Sequence, residues 1–187
     1  MNQSVLLGGG EAAGCPVPAC FPNAVIASLV RQTKDYLARE AGIEVTQARR
    51  MARSLSQLTL RESTAIIGVG GDIGALVAFS FPPELVDVLY DRLTAAIDVP
   101  VGDEMLYRRE AITEMVNIII GNCTAHFAAD GGRLSMSPPI LLEAAEPIPR
   151  MKNVIFDSVS MVTPHGTFDI NLVGPYDMFD AHLNYIQ

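Results

Sequence analysis

The chain is short of basic residues, of cysteine and of long apolar runs, and each shortage excludes something. Lys and Arg number 13 against 21 Asp and Glu, a net charge of −8 with an isoelectric point near 4.8. No broad basic face exists to exchange for the counterions of a nucleic acid backbone, so nucleic acid is not an expected partner. The three cysteines, Cys15, Cys20 and Cys123, cannot all pair, and their spacing forms no disulfide framework, which fits a reducing compartment. Cys15-Pro-Val-Pro-Ala-Cys20 is wider than a zinc clip, and no Cys or His pair follows it. Although 49% of the residues are hydrophobic and the mean hydropathy is +0.27, no run reaches the ~20 apolar residues of a membrane helix. The first residues lack a basic region, and Val5-Leu6-Leu7 is too short for a signal peptide, so the cytoplasm is the expected location.

What is present is periodicity. The 187 residues are about the size of one domain. Gly8 to Gly10, Gly14, Pro16, Pro18 and Pro22 break any regular element, so residues 1–22 read as a flexible Gly/Pro-rich arm ahead of a single domain over 23–187. Asn23 can cap a helix over Ala24 to Ala41, which Gly42 stops. Glu44 to Ser56 is polar and basic, and reads as a solvated loop or short second helix. Two β-rich runs within Thr59 to Phe81 flank Gly70-Gly71-Asp72 as a hairpin. Gly68 to Gly74 imitates a dinucleotide-binding glycine loop, but such a loop must open a helix, and here a second strand follows. Pro82-Pro83-Glu84 starts a helix to about Ile97, and Asp103 caps another to about Ala129. Short runs at Arg133 to Met136, Ile140 to Glu143, Val154 to Val162 and Phe168 to Val173 read as strands, with a turn at Pro164-His165-Gly166. Hairpins without repeated crossovers predict an α+β fold, with helices packed on a largely antiparallel sheet.

The helix after Asp103 carries two stripes. Ile112, Val116, Ile119, Ile120, Cys123 and Phe127 fall on one side and predict the core face. Glu110, Glu114, Asn117 and Gly121, spaced four, three and four apart, fall roughly opposite. Such a stripe is most simply a solvated face, though a carboxylate and a carboxamide three residues apart beside a glycine can also form a compact polar probe. By themselves they form no metal site.

Ala111-Ile-Thr-Glu114-Met-Val-Asn117-Ile-Ile-Ile-Gly121-Asn resembles the ExxN signature of the CheC/CheX/FliY chemotaxis phosphatases. Its continuation through Ser135-Met-Ser-Pro138-Pro139 and the hairpin from Ile66 to Phe81 are similar to the same family. ExxN occurs once, which resembles CheX more than the two-copy CheC type. The resemblance implies a CheC-like fold, a homodimer, and dephosphorylation of a phospho-aspartate response regulator similar to CheY. In that scheme Asn117 orients the attacking water, Glu114 pairs with the regulator's lysine, and the Mg²⁺ is the regulator's, so no cofactor is expected on this chain. Thr113, Ile118 and Gly121 border the stripe as partner contacts, Ile118 being equally suited to a dimer seam. Glu110 occupies a position that is usually Asp or Ser in the family, and Glu110 and Glu114 are like charges at i, i+4, costing a few tenths of a kcal/mol. The alternatives are a non-catalytic module similar to flagellar switch proteins that only binds a regulator, and a structural dimerising domain.

The remaining reactive residues read as structural. His126 lies beside the core stripe and His165 in a turn. His182 with Asp177 and Asp180 form a solvated group in the tail. Cys123 serves as a small apolar residue, and the 8 methionines are scattered gap fillers.

Overall fold

The computed structural model describes residues 21–51, 57–58, 60–71, 74–129, 134–146, 148–149 and 152–175. The 1–20 portion of the arm, the turn residue Asp72, the Asp177, Asp180 and His182 group, and the side chain of Phe127 lie outside them. Among the described residues three helices, α1 (Phe21–Glu40), α2 (Pro83–Leu93) and α3 (Glu104–Ala129), accompany nine strands. The strands are β1 (Gln47–Arg50), β2 (Gln57–Leu58), β3 (Ser63–Gly71), β4 (Ala75–Phe81), β5 (Leu134–Met136), β6 (Ile140–Glu143), β7 (Ile148–Pro149), β8 (Val154–Thr163) and β9 (Gly166–Pro175). The main sheet runs β1-β8-β9-β4-β3, and the outer edge of β3 is shared between β5 and β6. Every pairing is antiparallel, and β2 with β7 forms a separate two-stranded ribbon. The expected α+β architecture and the expected hairpin are both present.

Alternation along the strands decides what each face meets. On one face Ala65, Ile67, Val77, Phe79, Phe168, Ile170, Val159 and Met161 are buried in a single cluster with Leu29 and Leu37 of α1, Leu85 and Leu89 of α2, and the inner side of α3. Phe81 stacks between Phe79 and Phe168, with ring centroids 6.2 and 5.3 Å away. The other face buries the polar Thr64, Ser80, Ser158 and Asn171 beside Ala78, and ends in a small apolar cluster of Leu58, Leu60 and Phe156. All three helices therefore cover the same side of the sheet, and α3 must present its remaining surface away from it.

Local chemistry sets the boundaries. The carboxylate of Glu104 turns back to accept the Gly102 N–H at 3.0 Å, and that bond with one from its own N–H holds its pKa below the usual Glu range. Helix α1 begins at Phe21, so the last two residues expected in the arm are helical, with Pro22 tolerated in a first turn. Helix α2 ends at Leu93, short of the expected Ile97, because Thr94 turns both its N–H and its hydroxyl onto the Tyr90 carbonyl, at 3.0 and 2.7 Å. The segment expected as a loop or helix over 44–56 contains β1 instead. All four residues of β1 are exposed, so no apolar alternation marks them, and the backbone of β8 supplies the order. Arg50 in that strand holds the fully buried Asp157 in a bidentate ion pair, one arm of it 2.8 Å from Nε.

Candidate functional site on helix α3

The inner stripe of α3 is buried as its spacing predicts, at Ile112, Val116, Ile119, Ile120 and Cys123. Met115, absent from that expected stripe, is buried as well, which widens the anchored side of the helix. Burial pushes the Cys123 thiol up to about 11, so it is protonated and unreactive at neutral pH.

The outer stripe faces away from the sheet. Glu110 and Glu114 are exposed, Asn117 and Gly121 are half-buried, and the Asn117 amide nitrogen stands 3.5 Å from Oε2 of Glu114. The carboxylate and the carboxamide thus sit side by side on a helix whose opposite side is locked into the core. A Cβ built on Gly121 would meet nothing within 4 Å, so the surface beside the pair is open. Thr113 donates its hydroxyl back to the carbonyls of Arg109 and Glu110 at 3.0 and 3.1 Å, which leaves its methyl group as the part available to a partner. Ile118 is 37% exposed.

Beside the pair lies a cleft of about 560 Å³, bounded by α1, the end of α2 and the first half of α3. Glu110, Thr113 and Glu114 line it, together with Tyr36, Glu40 and Arg92, which the sequence reading did not find. No spacing within one element could have brought out residues contributed by three helices. Burial, then Glu40 and Glu114, raise the Tyr36 phenol above its ordinary value, so it stays protonated. Arg92 donates through Nη1 to the carbonyls of Ala41 and Gly42 at 2.6 and 2.8 Å.

The other reactive residues stand apart from this site. His126 is exposed, although its angle on the helix wheel falls between those of Met115 and Ile119, because it stands in the last turn of α3, beyond the buried Cys123. His165 occupies its expected turn, with Nε2 3.4 Å from Arg92 Nη2. Among the described residues no three His, Cys, Asp or Glu side chains converge as metal ligands. No helix among them is long and apolar enough to cross a membrane. The glycine run Gly68 to Gly71 is strand, followed by strand, with no helix start to receive a phosphate.

No protein-family model and no curated protein matches the sequence at a significant level. Solved structures do match the fold. The chain shares its fold with a CheC-like superfamily protein from Shewanella sp. PV-4, with a TM-score of 0.63 and 14% identity, covering 80% of this chain and 96% of that one. The fold likewise matches that of the chemotaxis protein CheX of Desulfovibrio desulfuricans, with a TM-score of 0.68 and 16% identity, over 79% of this chain and 97% of the other. It also matches the structure of the Borrelia burgdorferi CheX-CheY-BeF3-Mg²⁺ complex, with a TM-score of 0.60 and 16% identity over 80% and 96%.

Proposed function

We propose that this protein is a CheX-like phosphatase acting on a phosphorylated response regulator similar to CheY. The observation that carries the reading is the Glu114 and Asn117 pair, accessible and adjacent on the outward side of a helix braced by the sheet. The binding of CheY by a Borrelia protein of this fold supports the choice of partner.

An aspartyl phosphate is already labile, and phosphoryl transfer passes through a loose transition state that needs positioning and charge stabilisation more than a strong base. Asn117 inserts into the regulator's pocket and orients a water in line with phosphorus. Glu114 pairs with a lysine of the regulator and fixes the approach. The electrophilic Mg²⁺ belongs to the regulator. Glu110, Thr113, Ile118 and the open surface at Gly121 form the surrounding contact. A cytoplasmic homodimer belongs to the same reading, checked by the mass in solution.

The test follows phosphate release from a phosphorylated CheY-like regulator. Asn117→Ala is expected to lose about 10²-fold in rate with binding retained, because a misplaced water forfeits the positioning. Glu114→Ala is expected to weaken binding and rate together. Binding without acceleration by the wild type would assign the chain to the non-catalytic module instead, and unchanged rates in both variants would remove the assignment.

A further inference from the structure

We infer that the cleft beside Glu114 receives a second basic side chain, a lysine or arginine from the surface of the same partner protein, and that Tyr36 and Glu40 select for it. The inference rests on the reading above for the identity of the partner.

Two rows of side chains face each other across the cleft. Tyr36 and Glu40 are four residues apart on α1, and Tyr107, Glu110 and Glu114 follow at three and four on α3, so each row lies on one side of its helix. Three carboxylates line the space with a single cation, Arg92. That cation is committed, since its Nη1 serves the Ala41 and Gly42 carbonyls. None of the three carboxylates forms an ion pair among the described residues. The cleft is therefore negative and short of a positive charge.

An acidic lining alone would describe any solvated groove, and Tyr36 is what distinguishes this one. The residue is only 7% exposed and lines the cleft, yet among the described residues its hydroxyl has no hydrogen-bond partner. The ring is enclosed and the hydroxyl is the part that opens on the cleft, since the buried unpartnered side-chain oxygens among the described residues are those of Ser28 and Ser158. Held protonated by burial and by Glu40 and Glu114, it keeps its oxygen lone pairs free to accept from an N–H donor. Leu93, Ile97 and Ala111 supply an apolar wall for the methylene stem of such a side chain, and the tyrosine rings suit a cation near their faces. A neutral or acidic insert would leave the carboxylates uncompensated.

The test compares wild type, Glu40→Gln, Glu40→Lys, Tyr36→Phe and Asn117→Ala on the phosphorylated regulator, measuring KM and kcat separately and the Kd by calorimetry. Glu40→Gln is expected to raise KM about fivefold and Glu40→Lys further, with kcat within about twofold, since charge on a contact rim acts on encounter and affinity. Added salt is expected to shrink the difference. Tyr36→Phe, which removes only the hydroxyl, is expected to raise KM at an unchanged melting temperature. Alanine scanning of the regulator's surface lysines and arginines should yield one position whose effect is not additive with Glu40→Gln. Wild-type KM in both Glu40 variants, or no non-additive position, would overturn the inference while leaving the role of Asn117 intact. Loss of wild-type acceleration with Kd still sensitive to Glu40→Lys would overturn the phosphatase reading and keep the cleft.

Discussion

Arg92, in the last turn of α2, donates through Nη1 to the carbonyl of Ala41 at 2.6 Å, just past the end of α1. The same nitrogen reaches the Gly42 carbonyl at 2.8 Å, so one guanidinium satisfies two acceptors that the helix leaves open. Gly42 closes that end from within. Its φ of +57° lets Ile43 N–H return to the Leu37 carbonyl at 2.9 Å, the turn that favours glycine after a helix. Arg92→Ala is expected to lower stability by about 2 kcal/mol, the scale of a charge-assisted hydrogen bond, and Arg92→Lys to recover part of it. The measurement is the urea midpoint at constant m-value.

Gly70 in β3 faces Ser135 in β5, and a Cβ added there would lie 2.9 Å from the Ser135 hydroxyl oxygen. Neighbouring Gly68 is bonded through its N–H to the Ser137 hydroxyl at 2.9 Å and through its carbonyl to the Ser137 N–H at 2.9 Å. These contacts explain why the glycines and serines of the two segments occur together. Gly70→Ala is expected to cost about 0.5–1.5 kcal/mol, because the exposed Ser135 hydroxyl must leave its rotamer to make room. Adding Ser135→Ala should return part of that loss, a coupling that a double-mutant cycle would read directly.

Cys123 predicts an alkaline weakening. Its folded pKa of about 11 lies above the ordinary thiol value of 9.0 because burial penalises the thiolate. Below pH 9 both states carry the proton and its contribution is fully present. Between pH 9 and 11 the unfolded chain ionises first, and stability falls, by about 2–3 kcal/mol in all at 1.36 kcal/mol per pKa unit. Tyr36 shifts in the same direction, so the cysteine's share is the difference between wild type and Cys123→Ala in denaturation from pH 8 to 11. A thiol reagent at pH 7 should leave the folded protein unmodified.

The elements that the sequence made legible are those with a strong period or a strong stop. The two stripes of α3, the hairpin over β3 and β4 and the Gly42 stop depend on chemistry within a few residues, and the structure follows them. Strand β1 was hidden because Gln47 to Arg50 are exposed and polar, and become a strand only through the β8 backbone beside them. Strands β2 and β7 are two residues each, too short to carry any alternation. Helix α2 stops before the apolar residues that follow it because the Thr94 hydroxyl closes the last turn, a local bond that apolar spacing does not reveal. At the candidate site, the outward placement of Glu114 and Asn117 was legible from the helix wheel. The cleft was not, since Tyr36, Arg92 and Glu114 meet only after three separate helices settle on one side of the sheet.

Helix α3 answers to two independent demands. Its inward residues are fixed by the volume they must fill, whereas nothing inside the molecule dictates the letters at Glu110, Glu114, Asn117 and Gly121. A lineage built on this scaffold could therefore exchange one client for another by rewriting a few outward positions, its heat resistance barely changing as its allegiance did.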